Sequence, residues 1–395
     1  MHYNFVSCVA FLAALSTSAA AADMRLAAPD NFALFDRNVS GSAKGGAWTA
    51  RNMLVGQTST SVVPPGDPIY LPARPGKDGL AFLEINFGSL GTGYCSGSLM
   101  RGGAAILTAA HCVADTSGAI AATGGFAYFY PGPADPFYDL DFGFTPGIQR
   151  IALGAVHVAP GYTGSVIDHN DLAIIFLGGT APSFAVEYEL AALADPTGVA
   201  FNVAGFGNRG SGGLSGATPG TFGRLREGDN VFQFALGDPD FAGGWATILG
   251  EPLSQISDSW VSDFDRTGFA ANDTACLTVL GEFGLSGAKF CDTGVGAREV
   301  GVAPGDSGGP QFVGGKIVSV TSYGLTFGSI YGDVNDTLNS SFGEFSGYAP
   351  VFRNRSWVER LVPGAFGDVN EVPAPGALAL FGLGVALLAA RSRRA

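Results

Sequence analysis

The run "EVGVAPGDSGGPQFVGG", residues 299–315, places Ser307 between an aspartate and two glycines, directly after a Pro-Gly turn. One glycine is enough to turn a chain, so this loop has more than turning requires. It reads as a device that fixes a hydroxyl and several backbone N–H groups in one geometry. A serine hydroxyl is a poor nucleophile at its free pKa and needs a base within hydrogen-bond reach. Two other segments offer the partners, "LTAAHCV" with His111 and "HNDLAII" with Asp171. Imidazole suits proton transfer near neutrality. A buried carboxylate on its other ring nitrogen fixes the tautomer and stabilises the imidazolium that forms.

The glycines have a separate task. Addition of the hydroxyl to a carbonyl puts negative charge on the former carbonyl oxygen, and preset backbone N–H groups receive it. The N–H groups of Gly305 and Ser307 are the candidates. A side chain at position 305 would obstruct close approach, and a positive φ there would favour glycine.

Outward from these residues the chain is a series of short apolar runs bounded by glycine. From Gly79 they are "LAFLEINFG", "CSGSLM", "AAILTAA", "RIALGAVHVAP", "DLAIIFLGG" and "VAFNVAGFG", followed by "NVFQFAL", "QFVGG", "KIVSVTSYG" and "YAPVF". Strand-length runs without intervening helical periods predict an all-β sandwich or a pair of barrels. One helix is expected in "RNRSWVERLV", where Trp357, Val358, Leu361 and Val362 share a face. Residues 117–147, aromatic and Gly-rich, and residues 208–221, mostly Gly, Ser and Thr, read as insertions. The aromatic stretch suits a substrate groove or, more commonly, packing over a barrel end. Residues 23–78, with the Pro-rich "VVPPGDPIYLPARPG", read either as a propeptide or as a wrapping N-terminal segment.

Charged residues make up 14% of the 395, with a net charge of −13 and only four lysines, Lys44, Lys77, Lys289 and Lys316. That balance argues against nucleic acid or an anionic membrane surface as partner. Residues 1–22, "MHYNFVSCVAFLAALSTSAAAA", have an apolar core followed by small residues, the pattern of a secretory signal, although no Lys or Arg precedes the core. Its removal takes Cys8 and leaves four cysteines, so two disulfides are expected in an oxidising compartment. At the other end, after a linker at 364–375, fifteen apolar residues, Gly376 to Ala390, precede a cluster of three arginines. As a helix they span roughly 22 Å at 1.5 Å per residue, short of the ~30 Å hydrocarbon core. The tail "EVPAPGALALFGLGVALLAARSRRA" resembles the PEP-CTERM sorting signals of Gram-negative bacteria, with Val-Pro-Ala-Pro-Gly in place of Pro-Glu-Pro. The resemblance implies export to the cell surface or matrix and processing by an exosortase. The plainer reading is a C-terminal transmembrane anchor.

"TAAHC", "NDLAI" and "GDSGGP", in this order, resemble the marks of trypsin-like serine peptidases over roughly residues 79–363. The resemblance implies two packed six-stranded antiparallel β-barrels of chymotrypsin type, at about 79–190 and 195–352, and a terminal helix at about 353–362. It implies hydrolysis of polypeptide substrates through an acyl-enzyme, with His111, Asp171 and Ser307 as the catalytic set. It further implies the disulfides Cys95–Cys112 and Cys276–Cys291. Ser322, Tyr323 and Gly324 are similar to the strand that pairs with substrate backbone. The aspartate that trypsins place six residues before the nucleophile is replaced here by Gly301. A Lys or Arg side chain would then leave water without compensation, so apolar or small residues are expected before the cut, with Val302 and Ala303 as apolar wall. No Ile-Val-Gly-Gly-like start is evident for the ammonium that the family pairs with the aspartate before the serine, here Asp306; "RNMLVGQT" after Arg51 is the nearest.

The remaining polar residues have plainer readings. His169 is expected to face solvent from a loop, and His157 to be structural. Asp263, Asp265, Asn272 and Asp273 suit an oxygen-rich calcium site, though acidic residues that cap turns are commoner. No Cys/His spacing suits zinc, no glycine loop suits phosphate, and no cofactor is expected. The alternative to an enzyme is a surface or matrix binding module that reuses the fold.

Overall fold

The computed structural model describes residues 39–367, apart from 44–45, 52–54, 59, 61–66, 132–146, 194 and 286–288. The expected signal at 1–22 and the hydrophobic tail at 376–395 lie outside the described residues. Among those described, no helix is long and apolar enough to cross a membrane.

Six antiparallel strands close a first barrel in the order Leu80–Asn86, Thr92–Leu99, Ala105–Thr108, Ala173–Leu177, Gln149–Val158 and Gly124–Phe129. Phe82, Leu83, Ile106, Leu107, Phe129, Ile174 and Ile175 fill it. Part of the stretch read as an insertion, Gly124–Phe129, is therefore a barrel strand. It pairs with both Leu80–Asn86 and Gln149–Val158 and completes the closure. Its glycines and aromatics hid a strand whose Ala127 and Phe129 point into the core.

The second half is a sheet of nine strands. Its main path runs Arg226–Phe232, Val199–Gly205, Pro310–Val313, Lys316–Thr326, Phe345–Pro350, Trp260–Asp263 and Phe234–Ala235. Register shifts at Gln311/Phe312 and Thr321/Tyr323 bend it. It forms a half-barrel: among the described residues no ladder joins its two end strands. Stacked and edge-on rings of Phe201, Phe232, Trp260 and Tyr348 fill the concave face. Each such pair adds about 0.5–1.5 kcal/mol beyond burial. The expected terminal helix is Arg355–Leu361, and it turns Trp357 and Val358 back against the first barrel's core.

The N-terminal segment wraps the second half. The hairpin Val39–Ala43 with Gly46–Arg51 adds to strand Lys316–Thr326 through Arg51↔Gly324, Ala50↔Leu325 and Thr49↔Thr326. Trp48 is buried in the cluster that holds Trp245, Tyr323 and Leu325, and its indole N–H donates to the Ile248 carbonyl at 2.9 Å. Farther on, Val55–Gly56 pairs with Val300–Gly301.

Candidate active site

Strand pairing brings His111 and Asp171 together. Ala105–Thr108 and Ala173–Leu177 are neighbours with Thr108 opposite Ala173. His111 lies on the short turn Ala110–Cys112 that follows the first strand, and Asp171 lies just before the second. His111 Nδ1 is 2.7 Å from Asp171 Oδ2, and the His111 backbone N–H donates to Asp171 Oδ1 at 2.8 Å. The Ser322 hydroxyl donates to Asp171 Oδ2 at 2.6 Å. Burial alone would raise the Asp171 carboxyl. The charge and hydrogen bonds of His111, with the Ser322 hydroxyl, outweigh that and hold it below the usual carboxylate range.

Ser307 approaches from the second half, on the loop before strand Pro310–Val313. The Cys112 sulfur sits 3.9 Å from His111 Nε2 and 3.8 Å from the Ser307 carbonyl oxygen, so the imidazole and the loop that carries Ser307 meet across one atom. Both disulfides implied by the resemblance, Cys95–Cys112 and Cys276–Cys291, are formed. With a separation of 17 residues, the first contributes about 3 kcal/mol in the chain-entropy model and anchors the turn that carries His111.

Two glycines explain the loop's composition. Gly305 has φ +98°, and a Cβ there would lie 3.0 Å from Gly207 Cα. Gly308 has φ +78°, and a Cβ would meet Thr108 Oγ1 at 2.0 Å. Within the loop the Asp306 N–H goes to Ala303, that of Gly308 to Thr321 and that of Gly309 to Asp306. Among the described residues no acceptor takes the N–H of Gly305 or Ser307. Asp306 is buried, with its two oxygens accepting from the amides of Gly207 at 2.8 Å and Ala303 at 2.9 Å. Burial pushes its carboxyl well above the usual range.

Sequence reasoning missed Ser96, the residue that locks this loop to the barrel. Its N–H donates to the Ser307 carbonyl at 2.8 Å, and its hydroxyl donates to the Gly305 carbonyl at 2.8 Å while accepting from the Phe206 N–H. The available signal was a serine beside Cys95 in an otherwise buried strand.

Gly301 lies against Phe264: a Cβ there would meet the ring at 2.9 Å. Val302 and Ala303 are buried beside it. Tyr323 is buried with its hydroxyl on Ser259 at 2.8 Å, and Gly324 is paired on one side with Ser346 and on the other with Arg51. The expectation for His169 is corrected. It is fully buried, since the segment around Gln255 and Asp258 covers it. Its Nδ1 accepts from the Asp258 N–H at 3.2 Å, and burial together with the nearby Arg353 lowers its pKa to about 4. His157 sits in strand Gln149–Val158 with its ring edge-on to Phe176, a structural position.

Residues 371–394 match the family described as the PEP-CTERM protein-sorting motif. No curated protein matches the chain. Among solved structures, the chain is similar to one titled HL collagenase, with 17% identity, 74% of this chain and 96% of that chain covered, and a TM-score of 0.44.

Proposed function

We propose that this chain is an exported serine endopeptidase. The observation that carries the reading is the contact of His111 Nδ1 with Asp171 Oδ2 at 2.7 Å, beside a nucleophile loop with two uncommitted amides. In this reading His111 Nε2 takes the Ser307 hydroxyl proton as Oγ bonds to the scissile carbonyl carbon. The oxygen that becomes negative is received by the N–H groups of Gly305 and Ser307. His111 then gives the proton to the leaving amine, the C–N bond breaks, and the acyl group remains on Ser307. Water, deprotonated by the same imidazole, releases the acid and restores the hydroxyl. Asp171 keeps the imidazole in its tautomer throughout. Gly301, backed by Phe264, supports apolar or small residues before the cut.

The N-terminal hairpin supports an uncut chain that is held closed. A peptide reaching Ser307 needs the free edge of strand Lys316–Thr326 beside Ser322, and Arg51 already pairs with Gly324 on that edge. The pairing of Val55–Gly56 with Val300–Gly301 supports a maturation cut in the stretch after Arg51. A new ammonium there would give the buried Asp306 a counter-charge. The PEP-CTERM match supports export and handling of the tail by an exosortase. The test is labelling of the mature secreted form, after the maturation cut, with a fluorophosphonate probe. Ser307-dependent labelling, lost in Ser307→Ala, is expected; labelling that is absent, or that survives the substitution, favours a binding module instead.

A further inference from the structure

The side chains of Asp263, Asp265 and Asp273 converge in the second half, with one oxygen of each within 4.8 Å of the others. Asp263 ends strand Trp260–Asp263, Asp265 follows two residues later, and Asp273 caps helix Thr274–Thr278. Glu299 adds a fourth buried carboxylate, whose Oε1 accepts from the Asp265 N–H at 2.6 Å. Asp292, next to Cys291 of the Cys276–Cys291 disulfide, adds a further negative charge near Asp265. Capping accounts for part of this bonding. Asp273 Oδ1 accepts from the Cys276 N–H, and Asp263 accepts from Gln233 and from the Ala275 N–H. Asn272 gives its amide N–H to the Gly332 carbonyl.

Capping does not account for Asp265. It is 1% exposed, and neither of its carboxylate oxygens has a hydrogen-bond partner. Among the described residues no lysine or arginine pairs with Asp263, Asp265, Asp273 or Glu299. A buried charge needs a partner or a metal, and this set of neighbours is entirely negative. Burial, then Asp263, Glu299, Asp273 and Asp292, push the Asp265 carboxyl up to about 12.

We propose that Asp263, Asp265 and Asp273 hold a hard divalent cation, calcium, with Asp265 as the ligand that has no other task. Oxygens bound to one calcium ion at 2.3–2.6 Å lie within about 5 Å of one another, as these do. All the donors are oxygens, since Cys276 and Cys291 are committed to each other, and that set disfavours zinc. The ion would order the turn on which Phe264 stands between two of its ligands and packs beneath Gly301. It would also steady Gln57, whose side-chain amide donates to the Asp265 carbonyl. Calcium binding is thereby linked to the floor of the proposed pocket and to the N-terminal wrap.

The experiment uses the secreted chain carrying Ser307→Ala, so that its outcome is independent of peptidase activity. Thermal unfolding is followed in EDTA, in millimolar calcium and in millimolar magnesium, and bound metal is counted after gel filtration. Calcium is expected to raise Tm by about 5 °C, with one ion bound per chain. Asp265→Asn is expected to lose both the shift and the ion. Asp273→Asn serves as second variant should Asp265→Asn fail to fold. No calcium shift, a shift kept in full by these variants, or a response to magnesium but not calcium would each overturn the assignment.

Discussion

Ser322 donates its hydroxyl to Asp171 Oδ2 at 2.6 Å, and the same oxygen lies 2.7 Å from His111 Nδ1. A residue expected only to line substrate therefore also holds the Asp171 carboxylate in place, and under the proposed function it is a positioning residue. A hydrogen bond to a charged group contributes about 1.5–3 kcal/mol. Ser322→Ala is expected to lower kcat about tenfold with little change in KM. The Asp171 carboxyl, now held low, would move up once that donor is gone. Ser322→Thr should recover most of the rate. Unchanged kcat in the alanine variant, or no recovery with threonine, would remove Ser322 from the mechanism.

The floor of the proposed pocket is closed by packing. Gly301→Asp, the substitution that would imitate trypsin, puts a Cβ 2.9 Å from the Phe264 ring and a carboxylate into an apolar wall. Overpacking of this kind costs about 1–3 kcal/mol. The variant is expected to melt earlier and to gain no cleavage after Arg or Lys on a peptide library. A gain of basic specificity at undiminished stability would show that Gly301 is not the floor.

Trp48 holds the hairpin on the strand edge that a substrate would use. Removing a buried tryptophan side chain costs about 3–5 kcal/mol. In the uncut chain Trp48→Ala should therefore free the edge at Gly324–Thr326 more often. Fluorophosphonate labelling of Ser307 is expected to be at least about tenfold faster than in the uncut wild type. Equal rates would mean that the hairpin does not guard the site.

Much of this was legible in the sequence, for identifiable reasons. His111, Asp171 and Ser307, the proposed triad, lie in short-range motifs whose residue types suit that chemistry, and backbone geometry dictates the glycines of the 305–309 loop. The strands Leu80–Asn86 and Lys316–Thr326 announce themselves by apolar runs. Gly124–Phe129 did not, since its strand character comes from two partners remote in sequence, Leu80–Asn86 and Gln149–Val158. The same holds for Val39–Ala43 and Gly46–Arg51, whose place depends on an edge supplied by residues 324–326. The short helices Gly244–Leu249 and Leu253–Ile256 lie below the length at which a periodic pattern is readable. Burial of His169 and Asp265 was equally hidden: both are polar residues in turn-like sequence, and only tertiary packing covers them.

His169 gives the fold a measurable acid sensitivity. Its imidazole is neutral and buried, with Nδ1 accepting from the Asp258 N–H, the Asp258 carboxylate 3.8 Å away and Arg353 nearby. The ordinary histidine value, about 6.5, applies once the chain unfolds, whereas burial and Arg353 lower the folded value to about 4. Above pH 6.5 both states are neutral and the residue contributes nothing to pH dependence. Between about 6.5 and 4 the unfolded chain binds a proton that the folded chain refuses, so stability falls as pH falls, by about 3 kcal/mol in all. Asparagine offers an acceptor to the Asp258 N–H but does not titrate. Urea unfolding of wild type and His169→Asn at pH 7 and pH 4.5 should show a markedly smaller acid loss in the variant. Carboxylates that protonate over the same range act equally on both proteins, so parallel losses would mean that His169 gains its proton without unfolding.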